Sequence, residues 1–373
     1  MRSFLLKVNK PLFRALLLAI CILSSIVFVN HNHALYDKPI AEVTEVTTVD
    51  TEDLLDRFEN HDSLYTQEMK AVMRNGDLKG QVISLTNVYS DSGAYDIDYQ
   101  VGNDVFVTIK ESSETDSLTG TIQSLKRDHY VLLAAWVFIL TLLFVGRKQG
   151  FFAVISLVVN AAILSYALDV YLGTGISLLW ICGGSVVIFT VISLILVNGL
   201  NEKTFAAIIT TLLGTFVSFG LTFLVMEMTK DSGLRYEEMQ FLTSPYRMVF
   251  LAGLFIGSLG AVMDVAITLV SSIFGLYEKK PDISVKALQT SGFEIGKDIM
   301  GTMTNILFFA YISGSIPMLI LYLKNASPLG FTLSMNLSLE MARAFAGGIG
   351  IVITIPIGLY TAIFFINRKR SRL

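Results

Sequence analysis

The chain has 373 residues, of which 53% are hydrophobic and only 16% are charged, and its formal net charge is -3. Its mean hydropathy is +0.61. Soluble domains carry about a quarter of charged residues, so this composition excludes an ordinary soluble protein and indicates an integral membrane protein. The charge is segregated, because residues 30–128 hold 19 acidic and 8 basic side chains, whereas the rest of the chain holds 12 acidic and 20 basic ones.

Long apolar segments recur along the chain and predict membrane-spanning helices. A bilayer core about 30 Å thick needs roughly 20 apolar residues in a helix. We expect the first segment to be an uncleaved anchor and not a signal peptide, because the residues after it lack a small-residue cleavage site. The eight predicted spans are Leu12–Val29, Tyr130–Val145, Phe151–Leu172, Ile176–Val197, Phe205–Met226, Met248–Phe274, Ile299–Leu323 and Ala344–Ile366.

The distribution of basic residues predicts the orientation of these spans. Loops on the cytoplasmic side carry an excess of Lys and Arg. With both termini in the cytoplasm, only five Lys and Arg fall in the short outer loops. The sequence therefore predicts four parts: a cytoplasmic N-terminus with the first span (1–30), an acidic outer domain (31–128), a seven-helix membrane domain (129–366) and a basic cytoplasmic tail (367–373).

Alternating apolar and polar residues indicate that the outer domain is rich in β-strands. About five short strands separated by turn residues predict a small barrel or sandwich. Residues 51–74 fit a helix or a strand equally well. The candidate strands are AEVTEVTTV (41–49), GQVISLTNVY (80–89), YDIDYQV (95–101), DVFVTIKES (104–112) and LTGTIQSL (118–125).

Two groups in the outer domain resemble metal ligands. Asp96 and Asp98 share one face of a predicted strand, and His31 and His33 follow the first span. No calcium-loop pattern is present, so a solvated strand face is the simpler explanation for the two aspartates. The two histidines are typical of ordinary residues at a membrane interface. The two cysteines of the chain match no metal-site spacing, and we expect no metal and no cofactor.

Polar residues inside the apolar segments predict the functional site. An ionisable group in a hydrocarbon layer costs at least a few kcal/mol, so it normally faces a protein interior or a water-filled cavity. Asp264 lies well inside the sixth span. In the next segment Glu294, Asp298 and Thr302 step by four residues and Asn305 follows by three, so they share one helical face. We expect Asp264, Asp298, Thr302 and Asn305 to line a polar path. The alternative is that Asp264 is held locally by a neighbouring group, and that Glu294 and Asp298 are simply hydrated at an interfacial end of their helix.

Small residues and one proline predict close packing and a hinge. Gly253 and Gly257 have the small-x-x-x-small spacing of packed membrane helices, and Gly260 extends it. Pro317 removes a backbone hydrogen bond, so together with Gly314 it predicts a kink or break in the seventh span. Unwound backbone at membrane depth is buried or lines a cavity, and broken helices are frequent in transporters.

Several stretches carry a resemblance to a known family. They are GAVMDVAITLVSSIF, SGFEIGKDIMGTMTNILFFAYISGSIP and GGIGIVITIPIG, with GQVISLTN and VGNDVFV in the outer domain. From about Gln67 onward the chain resembles the YibE/F family of bacterial multi-span membrane proteins, although Lys297 stands where Arg is usual and Ile306 where Thr is common. The resemblance implies a protein of the bacterial plasma membrane with about eight helices and an outer domain. It also implies a shorter homologous membrane subunit as a partner, or a homo-oligomer.

Two classes of function remain from the sequence. The first is a permease or channel-like component that moves a small solute or ion past Asp264 and Asp298. The second is a non-transporting membrane module that presents the outer domain or anchors a partner in the cell envelope. An enzyme is not expected, because no span contains a histidine and Asp264 lacks the Gly-x-Gly-Asp setting of membrane aspartyl proteases. No nucleotide-binding loop is present, and the basic tail is explained by topology without nucleic acid.

Overall fold

A computed structural model of the protein describes residues 10–93, 96–110, 118–239 and 245–372. The chain forms two compact units, Met1–Thr141 and Leu142–Leu373. The first unit contains a membrane helix, a β-barrel and the beginning of a second helix. Its elements are α1 (Lys10–His31), β1 (Ile40–Leu55), β2 (His61–Met73), β3 (Val82–Ser90), β4 (Asp104–Lys110), β5 (Leu118–Leu125) and the start of α2 (Asp128–Thr174).

The five strands close into a barrel in the order β1-β2-β3-β5-β4. β1 pairs with β4 to complete the ring, and β3 and β5 are the only parallel pair among these strands. This order is that of a five-stranded Greek-key barrel of the OB-fold type. The sequence left residues 51–74 open between helix and strand, and the structure forms them as the end of β1 and as β2.

The predicted strand YDIDYQV (95–101) is wrong, because the structure describes no strand in residues 96–101. Here the backbone is bonded to side chains, not to a neighbouring strand: Asn87 Nδ2 donates to the Ile97 carbonyl at 2.9 Å. Gln67 Nε2 donates to Asp98 at 2.7 Å, and Tyr99 is buried in the barrel core. The alternating polarity of residues 96–101 therefore belongs to an irregular segment that packs Tyr99 into the barrel core, and not to a strand of the sheet.

Buried polar side chains join the barrel to α1 and α2 within the first unit. We call Asn32, Tyr36, Lys126 and Asp128 the anchor cluster. Lys126 is only 2% exposed, and its Nζ donates to the Val29 carbonyl at 3.0 Å and lies 3.4 Å from Asp128. Asn32 and Tyr36 both donate to the same Asp128 carboxylate oxygen. The hydrogen bond from Tyr36 to Asp128 raises the pKa of the Tyr36 hydroxyl, so Tyr36 remains a neutral donor.

The anchor cluster predicts a specific loss of stability. Replacing Lys126 by Met removes the buried ammonium and leaves Val29 O and Asp128 without this donor. We expect the unfolding free energy of the barrel to fall by about 1–3 kcal/mol. Protease susceptibility of the barrel in the full-length protein, measured against denaturant, checks this. Lys70→Met is the matched control, since Lys70 is exposed and its pair with Glu45 is solvated. Equal effects of the two substitutions would contradict the role of the cluster.

The second unit is a bundle of long apolar helices. Counting α1 of the first unit, six helices among the described residues are long and apolar enough to cross a membrane, or seven if α6 and α7, which are bent by 53°, form one span. The eight predicted spans differ from this count because two of them lie in α2, which breaks at Arg147 with φ 47°. The helices of this unit are the rest of α2, α3 (Leu178–Asn198), α4 (Glu202–Thr229), α5 (Tyr246–Lys279), α6 (Val285–Ser313), α7 (Ile316–Lys324) and α8 (Leu329–Arg370).

Glycines set the close packing of the bundle core. Added Cβ atoms at Gly292 and Gly296 of α6 would collide with Leu359 and Ile355 of α8. A Cβ at Gly350 of α8 would lie 2.8 Å from the Val262 side chain of α5. The small residues therefore let α5, α6 and α8 approach one another closely, as in other membrane bundles.

Candidate functional site

Asp264 lies on the exposed face of α5. Val262, Val265 and Ala266 beside it are fully buried, whereas Asp264 and Thr268 are exposed. The Asp264 carboxylate has no hydrogen-bond or ion-pair partner among the residues that the structure describes. The sequence predicts that an intramembrane acid faces a protein interior or a water-filled cavity. The first of these is wrong for the chain taken alone, because Asp264 points away from its core.

The polar residues of α6 are also exposed. Leu288, Gly292 and Gly296 form the buried side of this helix, and Glu294, Asp298, Thr302 and Asn305 occupy the opposite side. The Thr302 hydroxyl donates within its own helix, to the Ile299 carbonyl at 3.0 Å. Within the described parts of the chain, the side chains of Asp298 and Asn305 have no partner. The predicted alignment on one helical face is therefore present, but this face is directed out of the bundle.

Two contacts give the register between α5 and α6, which run antiparallel. A Cβ at Gly292 would lie 3.4 Å from Ile273, and a Cβ at Gly257 would lie 2.6 Å from the Tyr311 hydroxyl. Interpolation between these contacts places Asp264 at about the level of Thr302. Asp298 and Asn305 lie about one turn, or roughly 5 Å, to either side of this level. We define the polar face as six exposed polar residues of the two helices; they are Asp264, Thr268 and Ser271 of α5 and Asp298, Thr302 and Asn305 of α6.

Three glycines lie on the same exposed side of α5 as Asp264, towards the start of the helix. We call Gly253, Gly257 and Gly260 the glycine stripe. Only Gly257 has a close neighbour, the Tyr311 hydroxyl, whereas a Cβ at Gly253 or Gly260 would meet no atom within 4 Å. The sequence predicts helix packing at these glycines, and within the described chain this contact exists at Gly257 alone.

The predicted break at Gly314 and Pro317 lies at the junction of α6 and α7. α6 ends at Ser313, α7 begins at Ile316, and the two helices meet at 53°. Pro317 stands in the first turn of α7, where its missing N–H costs no helical hydrogen bond. Gly314 itself has negative φ. The proline therefore starts a new helix, and whether this junction acts as a hinge stays a prediction.

A polar cavity lies beside the end of α5 that follows Asp264. Its volume is about 260 Å³. Ser271, which lies two turns after Asp264 on the same face, is in its lining, and Lys203 at its edge pairs with Glu278 at 2.9 Å. The lining residues are Asn198, Asn201, Lys203, Thr204, Ile267 and Ser271. The cavity therefore adjoins one end of the polar face.

The interior of the bundle contains a row of hydroxyl groups that the sequence reasoning missed. On α4, Thr211, Thr215, Ser218 and Thr222 are all at most 9% exposed. Ser218 donates to the Ala346 carbonyl of α8 at 2.9 Å, whereas the hydroxyls of Thr211 and Thr215 have no partner in the described chain. The available signal was the spacing of four, three and four residues, which is that of one helical face.

Side chains noted as metal candidates are satisfied locally. His33 Nε2 pairs with Asp104 at 2.8 Å, and His31 Nδ1 contacts the Val27 carbonyl at 2.9 Å. Asp96 accepts from Ser90 at 2.9 Å. Residues 10–93, 96–110, 118–239 and 245–372 contain no group of three or more His, Cys, Asp or Glu suited to a metal ion. These contacts explain the residues without a ligand.

Comparison with known families covers both units. Residues 134–368 match the family described as YibE/F-like protein, and residues 34–125 match the YibE/F family N-terminal domain. The chain belongs to the YibE/F family. No curated protein and no solved structure matches it. In this YibE/F protein the match to the N-terminal domain contains all five strands of the barrel, and the other match contains the polar face and the glycine stripe.

The hydroxyl row of this YibE/F protein predicts opposite effects for two similar substitutions. Thr215→Val replaces a buried hydroxyl that has no partner, so the unfolding free energy is expected to stay unchanged or to rise by about 1 kcal/mol. Ser218→Ala removes the bond to Ala346 and is expected to lower it by about 0.5–1 kcal/mol. Denaturation of the purified protein in detergent measures both. A clear loss of stability in Thr215→Val would show that its hydroxyl has a partner.

Proposed function

We propose that this multi-pass YibE/F protein is a permease or channel-like component, and that solute moves along the polar face. The observation that carries the proposal is the position of Asp264 and Asp298. Both are exposed, and neither has a partner among the described residues. Asp264 lies on α5, which is long and apolar enough to cross a membrane, and Asp298 lies on α6, which meets this condition together with α7. A carboxylate exposed to hydrocarbon costs at least a few kcal/mol, so this face needs water or another protein surface against it.

The chemistry of the polar face favours a cation as the transported species. Asp264 and Asp298 supply carboxylate oxygens, and Thr302 and Asn305 supply hydroxyl and amide oxygens at neighbouring levels. Oxygen ligands of this kind suit hard cations, and rings of Asp or Glu are typical of cation pathways. The polar cavity beside Ser271 supports an aqueous entrance at one end of this path.

The proposal predicts that water reaches the polar face in the native membrane. In a background carrying Cys21→Ser and Cys182→Ala, we expect the thiol of Thr302→Cys to react with a membrane-impermeant maleimide. Thr302 is a suitable position because its hydroxyl bonds only to its own helix. Leu213→Cys is the matched control, since Leu213 is 49% exposed on an otherwise apolar side of α4. Labelling is measured by mass spectrometry before and after the membrane is dissolved.

We expect Leu213→Cys to react only after the membrane is dissolved, because a thiol in lipid does not ionise. If Thr302→Cys is as resistant as Leu213→Cys in the intact membrane, the polar face is dry. That result would contradict an aqueous path along α5 and α6.

Flux through the reconstituted protein tests the role of Asp264 directly. Proteoliposomes are loaded with fluorescent indicators for H⁺, Na⁺, K⁺ and Mn²⁺ in separate experiments. For whichever of these cations the unmodified protein moves, Asp264→Asn is expected to lower the rate about tenfold or more, since one charge at membrane depth exceeds 1.4 kcal/mol. Asp282→Asn, an exposed loop aspartate changed in the same way, is the control. An unchanged rate in Asp264→Asn, or no flux of any of the four, would contradict the proposal.

One observation favours the alternative of a non-transporting module. The anchor cluster fixes the acidic barrel firmly to α1 and α2, as a domain that is presented to other envelope components requires. In that case deletion of residues 31–128 abolishes the biological effect, whereas Asp264→Asn changes only the abundance of the protein. In both proposals the protein lies in the bacterial plasma membrane, with its termini in the cytoplasm and the barrel outside, and has no catalytic role.

A further inference from the structure

Within the second unit the polar face is incomplete. Asp264, Asp298 and Asn305 are exposed and have no partner among the described residues, although Asp264 lies in the apolar middle of α5 and Asn305 in the apolar second half of α6. Intramembrane polar side chains normally face the interior of a bundle or pair with another helix. α5, α6 and α8 pack closely by their opposite sides, so no described residue of the second unit completes this face.

The glycine stripe provides an independent reason for a second surface. A glycine inside a helix costs about 1 kcal/mol relative to alanine. Gly292, Gly296 and Gly350 have an evident reason, since a Cβ at each would collide with a neighbouring side chain. Gly253 and Gly260 have open space beside them, as Gly220 of α4 also has, but they differ from Gly220 because they share the exposed face of α5 with Asp264. Small residues at this spacing allow the backbone of another helix to approach closely.

The mixture of groups on the polar face identifies the partner. A surface that covers Asp264 and Asp298 must offer hydrogen-bond donors at their depth, and it must accept bonds from Asn305. In a two-fold interface, residue i of one copy meets residue j of the other, and the reverse contact also forms. The polar face is self-complementary in this sense, because the Asn305 amide is a donor without a partner among the described residues and lies about one turn from the level of Asp264.

We propose that a second copy of this chain packs on the polar face and the glycine stripe. The two copies are related by a two-fold axis along the membrane normal. Residues of one copy therefore meet residues of the other copy that lie at the same depth. Asp264 of each copy accepts a hydrogen bond from Asn305 of the other, and Gly253 and Gly260 allow the close approach of the helices. The proposal names the partner of the proposed path, and it therefore rests on the same face as that proposal.

Association of the full-length protein in liposomes tests the inference. A single fluorophore is attached to each copy, and photobleaching steps are counted at increasing protein-to-lipid ratios. We expect two-step traces to dominate for the unmodified protein. Gly260→Leu is expected to lower the association constant about tenfold or more, because the larger side chain fits the open space of one chain but separates two chains. Gly220→Leu is the matched control, since Gly220 is also exposed with open space beside it but lies on α4.

Three results would overturn the inference: single-step traces at every density, an effect of Gly220→Leu as large as that of Gly260→Leu, or no effect of Gly260→Leu. The first result is also the one expected if a different membrane protein covers this face. Gly253→Leu is a second variant at an equally open position, so a folding defect peculiar to Gly260→Leu leaves the test intact.

Disulfide formation then locates the interface. In the cysteine-free background, one tagged copy carries Gly260→Cys and a differently tagged copy carries Asn305→Cys, which the register of α5 and α6 places at about the same level. We expect a disulfide that joins the two tags or that joins two copies of Gly260→Cys. Gly220→Cys, treated in the same way, is expected to form none. Absence of any disulfide through residue 260 would overturn the inference.

These measurements separate the interface from transport. Photobleaching and disulfide formation detect association without any flux, whereas labelling of Thr302→Cys and cation flux do not depend on counting copies. Paired chains with a dry, inactive face would keep the interface and remove the path. Single chains with a wet face and an Asp264-dependent flux would keep the path and remove the interface.

Discussion

The cost of placing a carboxylate against hydrocarbon governs the membrane part of this protein. Asp264 and Asp298 each lie opposite the buried side of their helix, so the bundle is built with its most expensive groups on the outside. A charged group at membrane depth costs at least a few kcal/mol unless water or protein reaches it. The packing of the bundle and the chemistry of the polar face are therefore two parts of one arrangement. The glycines of α6 and α8 close the interior, and the exposed side of α5 and α6 is left for a polar environment.

Close packing also fills the interior of the bundle between α4, α5 and α8. Added Cβ atoms at Gly214, Gly350 and Gly358 would meet side chains of neighbouring helices within 3.1 Å. The hydroxyls there mostly bond to carbonyls of their own helix, as Thr210 and Thr354 do. This part of the core therefore contains polar atoms that bond within the protein. In the proposed function, the residues that contact the solute are those of the polar face and of the cavity beside Ser271.

Much of this fold follows from the sequence, and the exceptions have physical reasons. Apolar length predicts the helices, and the spacing of Asp298, Thr302 and Asn305 predicts their common face, because helical periodicity fixes which residues align. Periodicity does not show whether that face turns inward or outward, since a core and an interface between chains have the same pattern. In the outer domain the sequence predicts a barrel or a sandwich, and the structure shows the closed barrel, but one predicted strand is wrong. Residues 96–101 alternate like a strand, but Gln67 and Asn87, far away in the chain, supply their hydrogen bonds.

In the proposed interface, the glycine stripe provides affinity between the two chains and the polar face sets their register. Close approach of backbones at Gly253 and Gly260 increases dispersion contacts, which is where the affinity between membrane helices mainly arises. Hydrogen bonds to Asp264 add less affinity, because polar contacts between membrane helices are worth only about 0.6 kcal/mol on average. Their effect is on register: a shift of one copy along the membrane normal by one turn separates Asp264 from its donor on the other copy. A buried polar pair that fixes register at some expense of stability is the best-attested role for such groups. On this view Asp264 persists because it sets the alignment of two chains and, in the same position, presents its charge to the path between them.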